Sequence, residues 1–120
     1  MTTTRQKAEL RGRRAEQVAA LYLRFKGYRI IEKRFRSRRG EIDLIARRGS
    51  TTVFIEVKAR KTVDDALLSI AYKQRRCIEA AAEDWLKKHG HSQKSLRFDV
   101  VAIVPRALPT HITGAWRIGE

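Results

Sequence analysis

Residues 40–60, GEIDLIARRGSTTVFIEVKAR, decide the fold. Two apolar runs flank Gly49-Ser50, a pair suited to a two-residue type II′ turn with glycine at its first central position. With that turn the strands are residues 41–47 and 52–58, and Arg48 faces Thr51. Alternation puts Ile42, Leu44, Ala46, Val53, Ile55 and Val57 on one face, which belongs in a core. The other face carries Glu41, Asp43, Glu56 and Lys58, with Asp43 opposite Glu56 and Glu41 opposite Lys58. Two carboxylates directly across a ladder, roughly 5 Å apart at Cβ, repel each other. Solvent screens them, or one is protonated, or a cation sits between them. The plain alternative is an exposed face with ordinary surface charge. Ile45 and Phe54 share that face, so it is not uniformly wet. The pairing depends on the turn, because a slip of one residue moves a whole strand to the other face.

Outward from the hairpin, the pattern predicts a small α/β domain spanning residues 1–120, with a central mixed sheet flanked by helices. A helix is expected over 8–26, with Ala15, Val18, Ala19, Tyr22 and Phe25 as its apolar stripe and Gly27 at its end. A strand follows over Tyr28–Phe35. Beyond the hairpin, Thr62, Asp64 and Asp65 suit a helix start, and a long helix is expected over 68–88, ended by Gly90. LRFDVVAIV, Leu96 to Val104, reads as a buried strand stopped by Pro105 and Pro109. HITGAWRI suits a last edge strand.

Charge is the strongest global signal. The chain has 27 Lys and Arg against 13 Asp and Glu, a formal net of +14. Residues 1–39 hold 13 basic and 3 acidic residues, a net of +10. That skew points to a polyanion, most simply nucleic acid, with a solvated basic face or an anionic membrane as blander readings. No apolar run approaches a membrane span, and the basic N-terminus is not followed by the apolar stretch of a signal peptide. The single cysteine, Cys77, excludes an intrachain disulfide and any zinc site with two thiolates. A reducing, cytoplasmic setting is therefore expected.

Asp43, twelve residues, then Glu56-Val57-Lys58 resembles the D…ExK core of the PD-(D/E)xK nuclease superfamily. GEIDLIA (40–46), FIEVKAR (54–60), KQRR (73–76) and RFDVVAI (97–103) stand in the order of the uncharacterised bacterial YraN-like family. GRRAEQVAALYLRFKGYRII and HITGAW extend the likeness over nearly the whole chain. Members of that family are described as endonuclease-like, similar in fold to archaeal Holliday-junction resolvases. The resemblance therefore implies a restriction-endonuclease-like core. Ala15, Arg34 and Trp116 depart from the family pattern, which usually has glycine, asparagine and phenylalanine there.

What the resemblance implies is a metal-dependent endonuclease acting on branched or structured DNA. Asp43 and Glu56 would bind Mg²⁺ or Mn²⁺ with the backbone carbonyl of Val57. Lys58 would position or polarise the attacking water, and Glu16 would add a carboxylate from the first helix. Glu41 is a further candidate. Lys73 and Gln74, opening the long helix, suit the helix surface and the site equally. For backbone phosphates the candidates are Arg11, Arg13, Arg14, Arg34, Arg36, Arg38, Arg39 and Lys73, and such contacts position a substrate without reading its sequence. A homodimer would suit a two-fold junction. The competing class is a nucleic-acid-binding module that keeps the nuclease fold without cleaving. An anionic-membrane role is disfavoured, because the first helix lacks a wide apolar face. Asp99 is expected to pair locally with Arg97. His89, His91 and His111 lack a ligand spacing, and Cys77, Trp85 and Trp116 are expected to be packing residues.

Overall fold

Turn chemistry sets the register of the central hairpin. Gly49 takes φ +60°, and Ser50 does not join it at positive φ, as a type II′ turn requires. The rungs Arg48↔Thr51 through Leu44↔Ile55 follow, in the expected register. The computed structural model describes residues 3–90 and 95–120. Its elements are α1 (Thr4–Phe25), β1 (Arg29–Arg36), β2 (Glu41–Arg48), β3 (Thr51–Ala59), α2 (Val63–Leu68), α3 (Tyr72–His89), β4 (Ser95–Ile103) and β5 (Thr110–Trp116).

One five-stranded sheet runs β1-β2-β3-β4-β5. β3 and β4 are parallel and the other neighbours antiparallel, so the sheet is mixed. A parallel pair needs a crossover, and α2 and α3 supply it. On one face α1 lays Ala15, Ala19, Ala20 and Leu23 against Leu44, Val53, Ile55 and Val101. On the other, α3 lays Ile78, Ala81, Trp85 and Leu86 against Ile45, Phe54, Phe98 and Trp116. Both faces are covered, and β3 is therefore buried from Thr52 to Val57 without alternation. Trp85 and Trp116 are packing residues, as expected. Among the described residues no helix is long and apolar enough to cross a membrane.

Several boundaries and faces differ from the sequence reading. α1 begins at Thr4, where Thr3 and Gln6 form a reciprocal capping box. Its buried stripe is Ala15, Ala19, Ala20 and Leu23, while Val18 lies exposed and Phe25 is 92% exposed. Small side chains let the helix approach the sheet closely, and the larger ones turn outward. The helix expected over 68–88 starts later, at Tyr72, and a separate short helix, α2, occupies most of the stretch before it. Ile42 was expected beside Leu44 and Ala46, yet it packs with Ile45 in the α3-side cluster. Strict alternation thus fails around Asp43. His89 stacks on Trp85 with ring centroids 4.5 Å apart. His91 lies outside the described residues.

β4 carries a second polar centre. Asp99 is fully buried and does pair with Arg97, at 2.8 Å. It also accepts from the Gly114 amide at 2.9 Å and bonds His111 Nε2 at 2.7 Å. His111 Nδ1 in turn meets Lys26 Nζ at 2.7 Å, and Arg97 donates to Tyr28 Oη. This network joins the end of α1 to β4 and β5, and His111 belongs to it although no sequence spacing marked it.

Gly40 fixes where β2 starts. A Cβ there would lie 2.2 Å from the Cys77 carbonyl oxygen and 2.7 Å from its carbon. The backbone before β2 thus rests directly on α3, one turn beyond Gln74. Gly40→Ala must push these backbones apart and is expected to cost about 3 kcal/mol, the upper range for overpacking. Gly12→Ala meets nothing within 4 Å and is expected to gain about 0.5–1 kcal/mol from helix propensity. Thermal and urea unfolding of the two variants measure the contrast.

Candidate active site

β2 and β3 separate beyond the rung Leu44↔Ile55. β2 stays with β1 down to Glu41, while β3 follows β4 to Ala59↔Ile103. Asp43 sits at this fork. Its Oδ2 accepts the Val57 amide at 2.8 Å, so a side chain takes the donor that points toward β2. The expected Asp43–Glu56 rung is thus replaced by a splayed pair in which the two carboxyl groups still meet. Glu41 does not pair across with Lys58; it lies 3.3 Å from Arg36 on β1, its ladder partner.

Glu56 is 5% exposed. Burial first, then a hydrogen bond with Asp43 and that residue's charge, push its carboxyl far above the usual range, and Lys58 offsets this only in part. Of the three ways to relieve the repulsion, this rise favours protonation of the Glu56 carboxyl. Gln74 Nε2 donates to the other Glu56 oxygen at 2.9 Å. Gln74 therefore belongs to the site, whereas neighbouring Lys73 is exposed and outside the cleft.

Glu16 reaches the same cleft from α1. Burial raises its carboxyl, Arg34 opposes this with a 2.9 Å hydrogen bond, and Asp43 adds to the rise. Arg34 holds φ +51°, between the rungs Lys33↔Leu44 and Phe35↔Ile42, across from Asp43. A left-handed non-glycine residue costs roughly 1–2 kcal/mol. That conformation carries the guanidinium from the sheet edge to α1. Asparagine tolerates it better than arginine, which fits the family pattern at this position.

The carboxyl groups floor a cleft of about 950 Å³ at the C-terminal ends of β3 and β4. Ligands collect at such strand ends in open α/β sheets. One wall is α1, with Ala8, Arg11 and Gly12; the other is Lys58 to Lys61 with Val104 and Pro105. Among the described residues no ion pair engages Arg11, Lys58, Arg60 or Lys61. No three His, Cys, Asp or Glu side chains among them gather closely enough to hold a metal alone.

The phosphate candidates divide. Arg11 lines the cleft, and Arg13, Arg14 and Arg38 are exposed outside it. Arg34 and Arg36 are held by Glu16 and Glu41, and Arg39 bridges to Glu83 and Asp84 on α3 at 3.0 and 2.6 Å. Arg60 and Lys61 were missed. They continue the cationic run directly after Glu56-Val57-Lys58, which was the available signal.

The sequence profile of the Uncharacterised protein family UPF0102 matches residues 15–103. A UPF0102 protein of Mesorhizobium japonicum is 48% identical over 116 residues, covering 96% of this chain and 93% of the relative. One from Sinorhizobium medicae is 49% identical, over 92% and 91% of the two chains. Another from Agrobacterium fabrum is 49% identical over 93% of each. Likeness of this extent makes the chain a member of the UPF0102 family.

Proposed function

We propose that this protein is a metal-dependent endonuclease that hydrolyses phosphodiester bonds, with DNA as its substrate and the cytoplasm as its setting. The observation that carries this reading is the Asp43–Glu56 pair. Glu56 is buried, its carboxyl is raised by burial and by Asp43, and both carboxyl groups line a cleft that also carries Arg11, Arg60 and Lys61, which have no ion-pair partner among the described residues. Perturbed carboxyl groups in a cleft mark functional sites more often than ordinary surface charges do.

The donor set fits a hard divalent cation in place of a proton. Asp43, Glu56 and the Val57 carbonyl would hold Mg²⁺ or Mn²⁺, leaving positions for water and a phosphate oxygen, as Mg²⁺ usually does. Such an ion supplies charge stabilisation at the phosphate and a more acidic water. Gln74 fixes the Glu56 carboxyl. Lys58, whose charge acts on Glu56, places positive potential where negative charge develops. Glu16 offers a further carboxylate, neutralised by Arg34. Arg11, Arg60 and Lys61 take flanking phosphates, contacts that carry no sequence preference. The absence of a base-reading module supports a target chosen by its structure, such as a junction, flap or end. One cysteine and the lack of a membrane-crossing helix among the described residues support the cytoplasmic setting.

A second reading is a nucleic-acid-binding module that does not cleave. It is favoured by two facts: among the described residues no three-carboxylate group gathers, and the Val57 amide already occupies Asp43 Oδ2.

Labelled linear, flapped and four-way DNA and matching RNA, incubated with Mn²⁺ or Mg²⁺, separate the readings. Cleavage by the wild type is expected to fall at least 100-fold in Asp43→Asn and in Glu56→Gln. Undiminished cutting by both variants removes the site from the chemistry. Salt-sensitive binding with no cutting by any form selects the module.

The Glu56 proton gives a second prediction. A carboxyl raised in the folded state stabilises most below its unfolded pKa, near 4.5, and that stability drains as pH climbs toward the folded value. In the metal-free protein Glu56→Gln is therefore expected to raise Tm relative to wild type by on the order of 5 °C at about pH 8 and by little at about pH 4. Mn²⁺ uptake near neutrality is expected to expel about one proton. Calorimetry in buffers of different ionisation enthalpy reads that release.

A further inference from the structure

We infer that the cleft receives an unpaired strand of nucleic acid and excludes an intact duplex. This rests on the nuclease reading and narrows its substrate. Three features of the cleft lead there. First, the Glu56 carboxyl is sunk. Glu56 is 5% exposed at the floor, below walls formed by α1 and by the segment running from β3 toward α2. A phosphate on the convex surface of a duplex is flanked by the second strand, which meets those walls before the phosphate reaches the floor.

Second, the volume fits one strand. About 950 Å³ gives the open cleft room for a compact group of a few ring systems. A short run of single-stranded backbone with one or two bases meets that description.

Third, the walls are of two kinds. Arg11, Arg60 and Lys61 offer positive charge to a backbone, while Ile103, Val104 and Pro105 offer an apolar surface to something flat and uncharged. A duplex presents phosphates and sugars outward and keeps its base faces stacked inside. An unpaired strand presents both phosphate and base face, and proteins that bind single strands combine these two kinds of surface. Gly12 makes the room. It lies on the α1 wall, and a Cβ there meets nothing within 4 Å. A larger side chain at this position grows into the cleft without disturbing the packed face of α1.

The test is fluorescence anisotropy with a 12-nucleotide DNA or RNA strand, the matching blunt duplex, and a duplex with a 12-nucleotide flap. Ca²⁺ replaces Mg²⁺ so that binding is read without turnover, and the wild type is compared with Gly12→Leu and Gly12→Trp. The strand and the flapped duplex are expected to bind at least about tenfold more tightly than the blunt duplex. Both variants, folded by circular dichroism and with Tm no lower than wild type, are expected to lose that preference. Equal or tighter binding of the blunt duplex overturns the inference, as does an undiminished strand preference in folded Gly12→Trp. In either case, Mn²⁺-dependent cutting of duplex that Asp43→Asn abolishes leaves the nuclease reading intact. Failure to bind any of these nucleic acids removes both.

Discussion

Two neighbouring strands must separate within one residue of each other, and the Asp43 carboxylate makes that separation stable. Where β2 leaves β3, the Val57 amide loses its ladder acceptor. An unpaired buried amide costs about 1–3 kcal/mol, and Asp43 Oδ2 answers it at 2.8 Å. A carboxylate in that role brings negative charge next to Glu56 on the following turn of the pleat. Burial and that repulsion raise the Glu56 carboxyl, which favours its protonated form. Shape and chemistry at this point share one origin, because the contact that opens the fork also forces the carboxyl pair together. Gly40 and Arg34 hold the same geometry from outside. Gly40 lets β2 start against the α3 backbone, which sets Gln74 beside Glu56. Arg34 accepts a left-handed backbone so that its guanidinium can balance Glu16.

Much of this was legible along the chain wherever local rules dominate. Gly49-Ser50 sets the register of the hairpin, and the period-two pattern of residues 41–58 marks two strands. LRFDVVAIV, apolar apart from its arginine and aspartate, marks the strand buried on both sides. The pairing of Asp43 with Glu56 followed from register alone. Its form did not, because alternation assumes a continuous ladder and this ladder ends at Leu44↔Ile55. The α1 stripe was misread for a related reason. Hydrophobicity favours Val18 and Phe25, but a helix pressed close to a sheet selects small residues, and Ala15, Ala19 and Ala20 win. His111 joins Asp99 across twelve residues and a β-turn, a contact that no periodicity encodes.

The cations show the same division. A basic run before Gly40 looked like a phosphate surface, and net charge does describe the long-range field. Contacts are decided by partners. Arg34, Arg36 and Arg39 lie near acidic residues on three other elements and are each engaged by them. Among the described residues Arg60 and Lys61 have no ion-pair partner, and both line the cleft. Pairing an arginine at the surface contributes little to stability, but it does fix which cations remain available to an anionic ligand.

The fold contains two buried carboxyl centres, and their contrast separates structure from chemistry. Burial raises both Asp99 and Glu56. At Asp99, donors from His111, Arg97 and the Gly114 amide outweigh burial and leave the carboxyl below its ordinary range. Every lone-pair direction there is spent on holding α1, β4 and β5 together, so the group has nothing left to offer a ligand. At Glu56 burial dominates, among the described residues only Gln74 donates, Lys58 acts at a distance, and Asp43 adds repulsion, so the carboxyl goes the other way. A protein can satisfy a buried acid completely, as it does on the adjacent strand. The one whose charged form it leaves disfavoured is the one facing the cleft. Its missing stabilisation matches what a divalent ion and a phosphodiester would bring, and that complementarity, more than the spacing of Asp43 and Glu56 in the sequence, is the physical ground for reading this fork as a site of chemistry.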